Sequence, residues 1–110
     1  MTPPDRLTPI YSAHSDDPAR NEAIDAFVIH LAERIDHLQD AESRADVGQV
    51  AELGLALAQE AAGVGYDEFS RVARAAVDAA RDGKSEEAHN ALVELTDLSH
   101  RIRLGHRGSL

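Results

Sequence analysis

The chain has 110 residues, a formal net charge of −9 and no cysteine, which bounds it to one small domain without disulfides, thiolate metal sites or a cysteine nucleophile. The acidic balance argues against a nucleic-acid partner and against an anionic membrane surface, because both call for a positive face. Two Phe, two Tyr and no Trp leave the core to Ala, Leu, Val and Ile, and with plentiful Glu and Arg this composition favours helix.

No stretch alternates β-branched and polar residues, so no strand is expected. Met1-Thr2-Pro3-Pro4-Asp5 carries no basic-then-apolar leader, and no run is long and apolar enough to span a bilayer, so a cytoplasmic protein is the expectation. Residues 1–16 hold three of the four prolines and read as an irregular lead-in, with a turn near Ile10 and Tyr11 whose side chains pack on the end of the domain. A first helix then spans 18–42. Asp17 caps it, Pro18 suits its first position, and Ile24, Phe27, Val28, Leu31, Ile35 and Leu38 follow three-and-four spacing.

Ser43-Arg44-Ala45-Asp46 is a short connection, and Asp46 caps a second helix whose inner face is Val47, Val50, Gly54, Leu57 and Ala61. Gly63-Val64-Gly65 ends that helix, since glycine tolerates a left-handed cap; the segment is too short for a phosphate loop and follows no strand. A third helix starts near Asp67 and turns Phe69, Val72, Ala73, Ala76 and Ala80 inward until Asp82-Gly83-Lys84 stops it. Ser85 caps a fourth, with Glu86 and Glu87 in its first turn, Ala88, Leu92, Leu95, Ser99 and Ile102 inside, and Gly105 and Gly108 releasing the chain. Four amphipathic helices with short connections predict an all-α, antiparallel up-down-up-down four-helix bundle over 17–104, preceded by the lead-in of 1–16 and followed by a tail at 105–110.

The segment Leu53-Gly54-Leu55-Ala56-Leu57-Ala58-Gln59-Glu60-Ala61-Ala62-Gly63 resembles the signature of histidine-containing phosphotransfer (HPt) domains, of the form L-A-H-x-L-K-G-A-A-G. Laid ungapped on Ala61-Ala62-Gly63, the family's histidine falls on Ala56, its lysine on Gln59 and its first glycine on Glu60. The resemblance extends over residues 9–104. The first helix is similar in Asp17-Pro18, Ile24, Phe27-Val28, Leu31, Arg34 and Leu38, and the third and fourth helices are joined by an acidic-glycine link, Ala80-Arg81-Asp82-Gly83.

The resemblance implies a four-helix bundle and a receiver or histidine kinase domain as partner. At about 100° per residue, Ala56 lies roughly 140° from the centre of the inner face of its helix, so the position points outward as the family requires. It carries a methyl group instead of an imidazole, Gln59 carries no charge, and Glu60 adds a negative one, so no phosphoryl acceptance is expected there. Glu52, Leu55, Ala56, Gln59 and Gly63 form the expected docking face. The leading expectation is thus a non-enzymatic phosphorelay accessory that needs no cofactor.

Six histidines remain. His30 and His37 point outward from the first helix, His14 is in the lead-in, and His89, His100 and His106 lie on or after the fourth helix; each reads as an exposed surface histidine. Acceptance of phosphate by His30 or His37 instead is the exception to test. The outward stripe His30, Glu33 and His37 allows a metal ion on one helix, yet bundle metal sites draw on several helices and inward carboxylates. Arg101, Arg103, His106 and Arg107 suit the end of a helix, where positive charge is favoured. The alternatives carried forward are a self-associating helical module, possible as a homodimer, and a small metal-binding bundle.

Overall fold

The computed structural model describes residues 8–108. The irregular character expected of residues 1–7, and residues 109–110 of the expected tail, lie outside the described residues. Four α-helices account for nearly all of the rest: α1 (Asn21–Ser43), α2 (Val47–Gly63), α3 (Asp67–Arg81) and α4 (Ser85–Gly108). Helix α1 packs against α2 and α4, α2 against α3, and α3 against α4, whereas the diagonal pairs do not bring their backbones together and meet only through side chains in the core. The helices close a ring around one core.

That core is the one the spacing names. Phe27, Leu31, Leu57, Phe69, Val72, Leu92 and Leu95 are all buried together. Phe27 sits at its aromatic end, stacked on Tyr66 at 5.6 Å and edge-on to Phe69 at 6.0 Å. Between α2 and α3 the packing is made by small groups. Gly54, Ala58 and Ala61 face Ser70, Ala73 and Val77, and the Ser70 hydroxyl donates to the Ala58 carbonyl at 2.8 Å. Glycine is required at 54, because a Cβ there would lie 2.5 Å from Cγ2 of Val77.

Each helix is separated from the next by three residues, and all three connections are closed the same way. Beyond α1, Asp46 N–H donates to Ala41 O (3.0 Å) and Ala45 N–H to Glu42 O (2.9 Å). Beyond α2, Tyr66 donates to Ala61 (2.8 Å) and Gly65 to Ala62 (3.2 Å); beyond α3, Lys84 donates to Ala79 (2.9 Å) and Gly83 to Ala80 (3.2 Å). This paired bonding satisfies carbonyls that the helix end would otherwise leave open, and it places the middle residue in the left-handed region. Gly65 (φ +86°) and Gly83 (φ +74°) suit that position, but the first connection uses Ala45 (φ +54°).

Several expected details are corrected. Asp17 does cap, through Ala19 N–H at 3.0 Å, but what it caps is a single 3₁₀ turn at Pro18–Arg20 that precedes α1. Val47 is 47% exposed, because it stands in the first turn of α2 at the open end of the bundle. Ser85 is the first residue inside α4, since Ala88 N–H donates to the Lys84 carbonyl. Gly105 does not release the chain: α4 runs on to Gly108, so the expected tail begins inside the helix. The glycine is there because the lead-in crosses it, and a Cβ would strike the Ile10 backbone.

The lead-in is strapped down by Ile10 N–H to Arg101 O (3.0 Å), Ala13 N–H to Gly65 O (2.9 Å) and the Ser12 hydroxyl to Val64 O. Ile10 packs on the core as expected, but Tyr11 is 59% exposed and Ser12 is buried instead. Extended chain alternates its faces, so with Ile10 inward Tyr11 must point out.

Two opposite substitutions, one in a connection and one in a helix, test these backbone constraints. Ala45→Gly should stabilise the protein by about 0.5–1 kcal/mol, the left-handed cost of an L-residue less the chain entropy that glycine adds to the unfolded state. Gly54→Ala should destabilise it by about 1–3 kcal/mol through the Val77 clash, although alanine is the better helix former. Urea midpoints of the two variants should therefore move in opposite directions.

Candidate docking face

Helix α2 buries Val50, Ala51, Gly54, Leu57, Ala58 and Ala61, so residues half a turn away have nothing over them. Glu52, Ala56, Gln59 and Gly63 are all exposed and, at four-three-four spacing, form one stripe directly opposite the core. Leu55, expected beside Ala56 as an outward residue, is only half-buried. It lies about 100° from Ala56, on the flank of the helix, and contributes an edge rather than the centre of the face.

The flank of α2 that meets α1 carries more chemistry than either helix alone indicates. Ala23, Ala26, Phe27, His30 and Arg34 of α1 and Glu60, Gly63 and Val64 of α2 line one open groove. Arg34 bridges the helices through an ion pair with Glu60. The carboxylate read as an isolated negative charge is therefore matched, and it is drawn toward the seam. Arg20 reaches the Gly63 carbonyl at 3.3 Å from the other end. His30 is exposed, as expected, but it stands on the groove wall that faces Gly63 and so lies beside the α2 face. Helical periodicity gives each side chain's direction on its own helix, whereas this neighbourhood depends on how two helices sit side by side.

The other histidines divide. His37 and His100 are exposed, as expected. His106 is half-buried and its Nε2 meets the Asp25 carboxylate at 2.7 Å; His89 Nδ1 meets Glu42 at 3.1 Å. These two pairs, with Gln39 donating to the Thr96 hydroxyl at 2.9 Å, span the α1/α4 seam. His14 is also half-buried, its ring beside Gly65.

The basic cluster at the end of α4 is dispersed around the helix. Arg101 holds the lead-in through the Thr8 carbonyl at 2.9 Å, Arg103 faces the α1/α4 groove, and the Arg107 side chain lies outside the described residues. The stripe of His30, Glu33 and His37 is exposed and acquires no further ligand. Among the described residues no group of three His, Asp or Glu side chains could hold a metal ion. No described helix is long and apolar enough to cross a membrane.

Tyr66, the residue before α3 that stacks on Phe27, has its phenol pushed up to about 12, first by burial and then by the negative charge of Asp25. Neither a family model, nor a characterised protein, nor a solved structure matches the chain.

The phenol gives a pH test. The unfolded tyrosine ionises near 10, before the folded one, so Tyr66 contributes stability that is present below pH 10 and lost as pH rises toward 12. Unfolding free energies measured from pH 9 to pH 11 should fall more steeply for the wild type than for Tyr66→Phe, by an amount on the order of 1–2 kcal/mol.

Proposed function

We propose that the protein is an HPt-like phosphorelay accessory. It docks a receiver or histidine kinase domain on the α1/α2 face, in the cytoplasm, without accepting phosphate and without enzymatic activity. The bundle is read as antiparallel, up-down-up-down. Pairs across the seams support this order: Asp25 with His106, Gln39 with Thr96 and Glu42 with His89 rise along α1 while falling along α4, and Ser70 of α3 meets Ala58 of α2 beyond a three-residue connection.

The observation that carries the functional reading is the uncovered stripe Glu52, Ala56, Gln59 and Gly63. Small residues at its centre and at the groove (Ala23, Ala26, Ala56 and Gly63) let a partner's backbone approach closely. Phosphoryl transfer calls for a nucleophile in line with the donor and a cation beside it. On this stripe Ala56 supplies a methyl group and Gln59 a neutral amide; of the two guanidiniums beside it, that of Arg34 is engaged by Glu60 and that of Arg20 donates to the Gly63 carbonyl. The face thus suits binding without transfer, and the resemblance names the partner class.

The test is binding to receiver and kinase domains encoded beside this protein, measured for wild type and for Ala56→Arg and Gln59→Glu. Both residues are exposed, so each variant should change stability by no more than about 0.5 kcal/mol while weakening binding at least about tenfold. Unchanged affinity would place the docking face elsewhere. Incubation with a phosphorylated receiver, followed by mass spectrometry at alkaline pH, should leave the protein unmodified. Stoichiometric phosphate on His30 or His37 would overturn the non-acceptor reading.

A further inference from the structure

Among the described residues four large apolar side chains are exposed: Tyr11 on the lead-in, Val47 at the open end of α2, and Ile29 (68%) and Val93 (56%). The last two belong to one surface. A groove of about 650 Å³ runs between α1 and α4 and is lined by Ala32, Ile35, Asp36, Val93, His100 and Arg103, among others. Ile29 lies three residues before Ala32 and seven before Asp36, so it continues their stripe along α1. This face is separate from the α1/α2 groove, because it uses the opposite flank of α1.

The charges on the groove are what name its occupant. Asp36 on one wall and Arg103 on the other have no ion pair and no side-chain hydrogen bond among the described residues, although three polar pairs cross the same seam and Asp97, also on the groove, is matched by Arg101. A molecule of net charge −9 repels its own copies over most of its surface, and this groove is where an unpaired cation and an unpaired carboxylate stand beside uncovered apolar groups. A two-fold axis uses both at once: Asp36 of one copy meets Arg103 of the other and the reverse, while Ile29 and Val93 fill the centre. We propose that the α1/α4 face is the self-association surface of this protein and that its occupant is a second copy of the chain in a symmetric dimer.

Sedimentation velocity of the full chain from roughly 1 to roughly 500 µM should show a monomer–dimer equilibrium. Asp36→Arg and Arg103→Asp should each weaken the dimer at least about tenfold, by setting like charges opposite one another. Combined, they should recover it to within about threefold of wild type, because the reversed pair is again complementary. Ile29→Ser and Val93→Ser, both at exposed positions, should weaken the dimer as well, and they keep the test open if a charge reversal fails to fold by circular dichroism. A chain that stays monomeric across the range overturns the proposal. So does a dimer indifferent to all four substitutions, or one in which the double reversal restores nothing.

Discussion

Everything in this bundle depends on joining one helix to the next through only three residues, three times. A helix can stop and turn so sharply only if its last carbonyls are taken up by the residues just beyond it, and that bonding forces one residue into left-handed backbone. Gly65 and Gly83 meet the demand freely. Ala45 meets it with strain, held there by Asp46, which both closes the end of α1 and caps α2 through the Gln49 N–H at 3.0 Å. Because the connections have no slack, each helix must lie beside the next, and the only remaining freedom is how the first and last helices close the ring.

Two kinds of contact settle that closure, and they differ in weight. The solvent-accessible pairs along the α1/α4 seam, His89 with Glu42 and the half-buried His106 with exposed Asp25, are each worth at most about 1 kcal/mol. Truncating a fully buried leucine such as Leu31, Leu57 or Leu95 costs about 2–5 kcal/mol. The core therefore holds the ring shut, and the polar pairs select which residues stand level with one another. The core is also graded: aromatic where Phe27, Tyr66 and Phe69 meet under the lead-in, and built of glycine, alanine and serine where α2 and α3 approach. Few large side chains are available, so close approach of backbones supplies the packing density that bulk would otherwise provide.

This explains which features were legible in the sequence. Helix number, most of each inner face and the Asp46 cap follow from local spacing, which names every buried residue of α1 except Ala41 and misplaces Val47 on α2. What local spacing misreads is glycine, which serves both chain ends and close approaches. Gly65 and Gly83 end helices, but Gly105 continues one and makes room for the Ile10 backbone. The same limit applies to the candidate face. Ala56, Gln59 and Glu52 are outward by periodicity alone, whereas the meeting of His30 and Arg34 with Gly63 and Glu60 depends on the lateral packing of α1 against α2. So do the carboxylate partners of His89 and His106, whose sequence neighbours give no hint of them.

Helix α1 is the common element of both uncovered surfaces. His30 and Arg34 lie on the flank toward α2, Ile29, Ala32 and Asp36 on the flank toward α4, and Glu33 and His37 stand on the exposed ridge between them. At about 100° per residue the two flanks are well over a quarter turn apart, so a chain docked on the α4 side leaves the α2 side uncovered. A symmetric pair of bundles would then present two α1/α2 faces on one particle. A partner that is itself paired gains from that arrangement, because its second contact becomes intramolecular and its effective concentration rises without any new interaction. The two proposed uses of this helix, self-association and partner docking, are in this way compatible, separated by the register of its side chains.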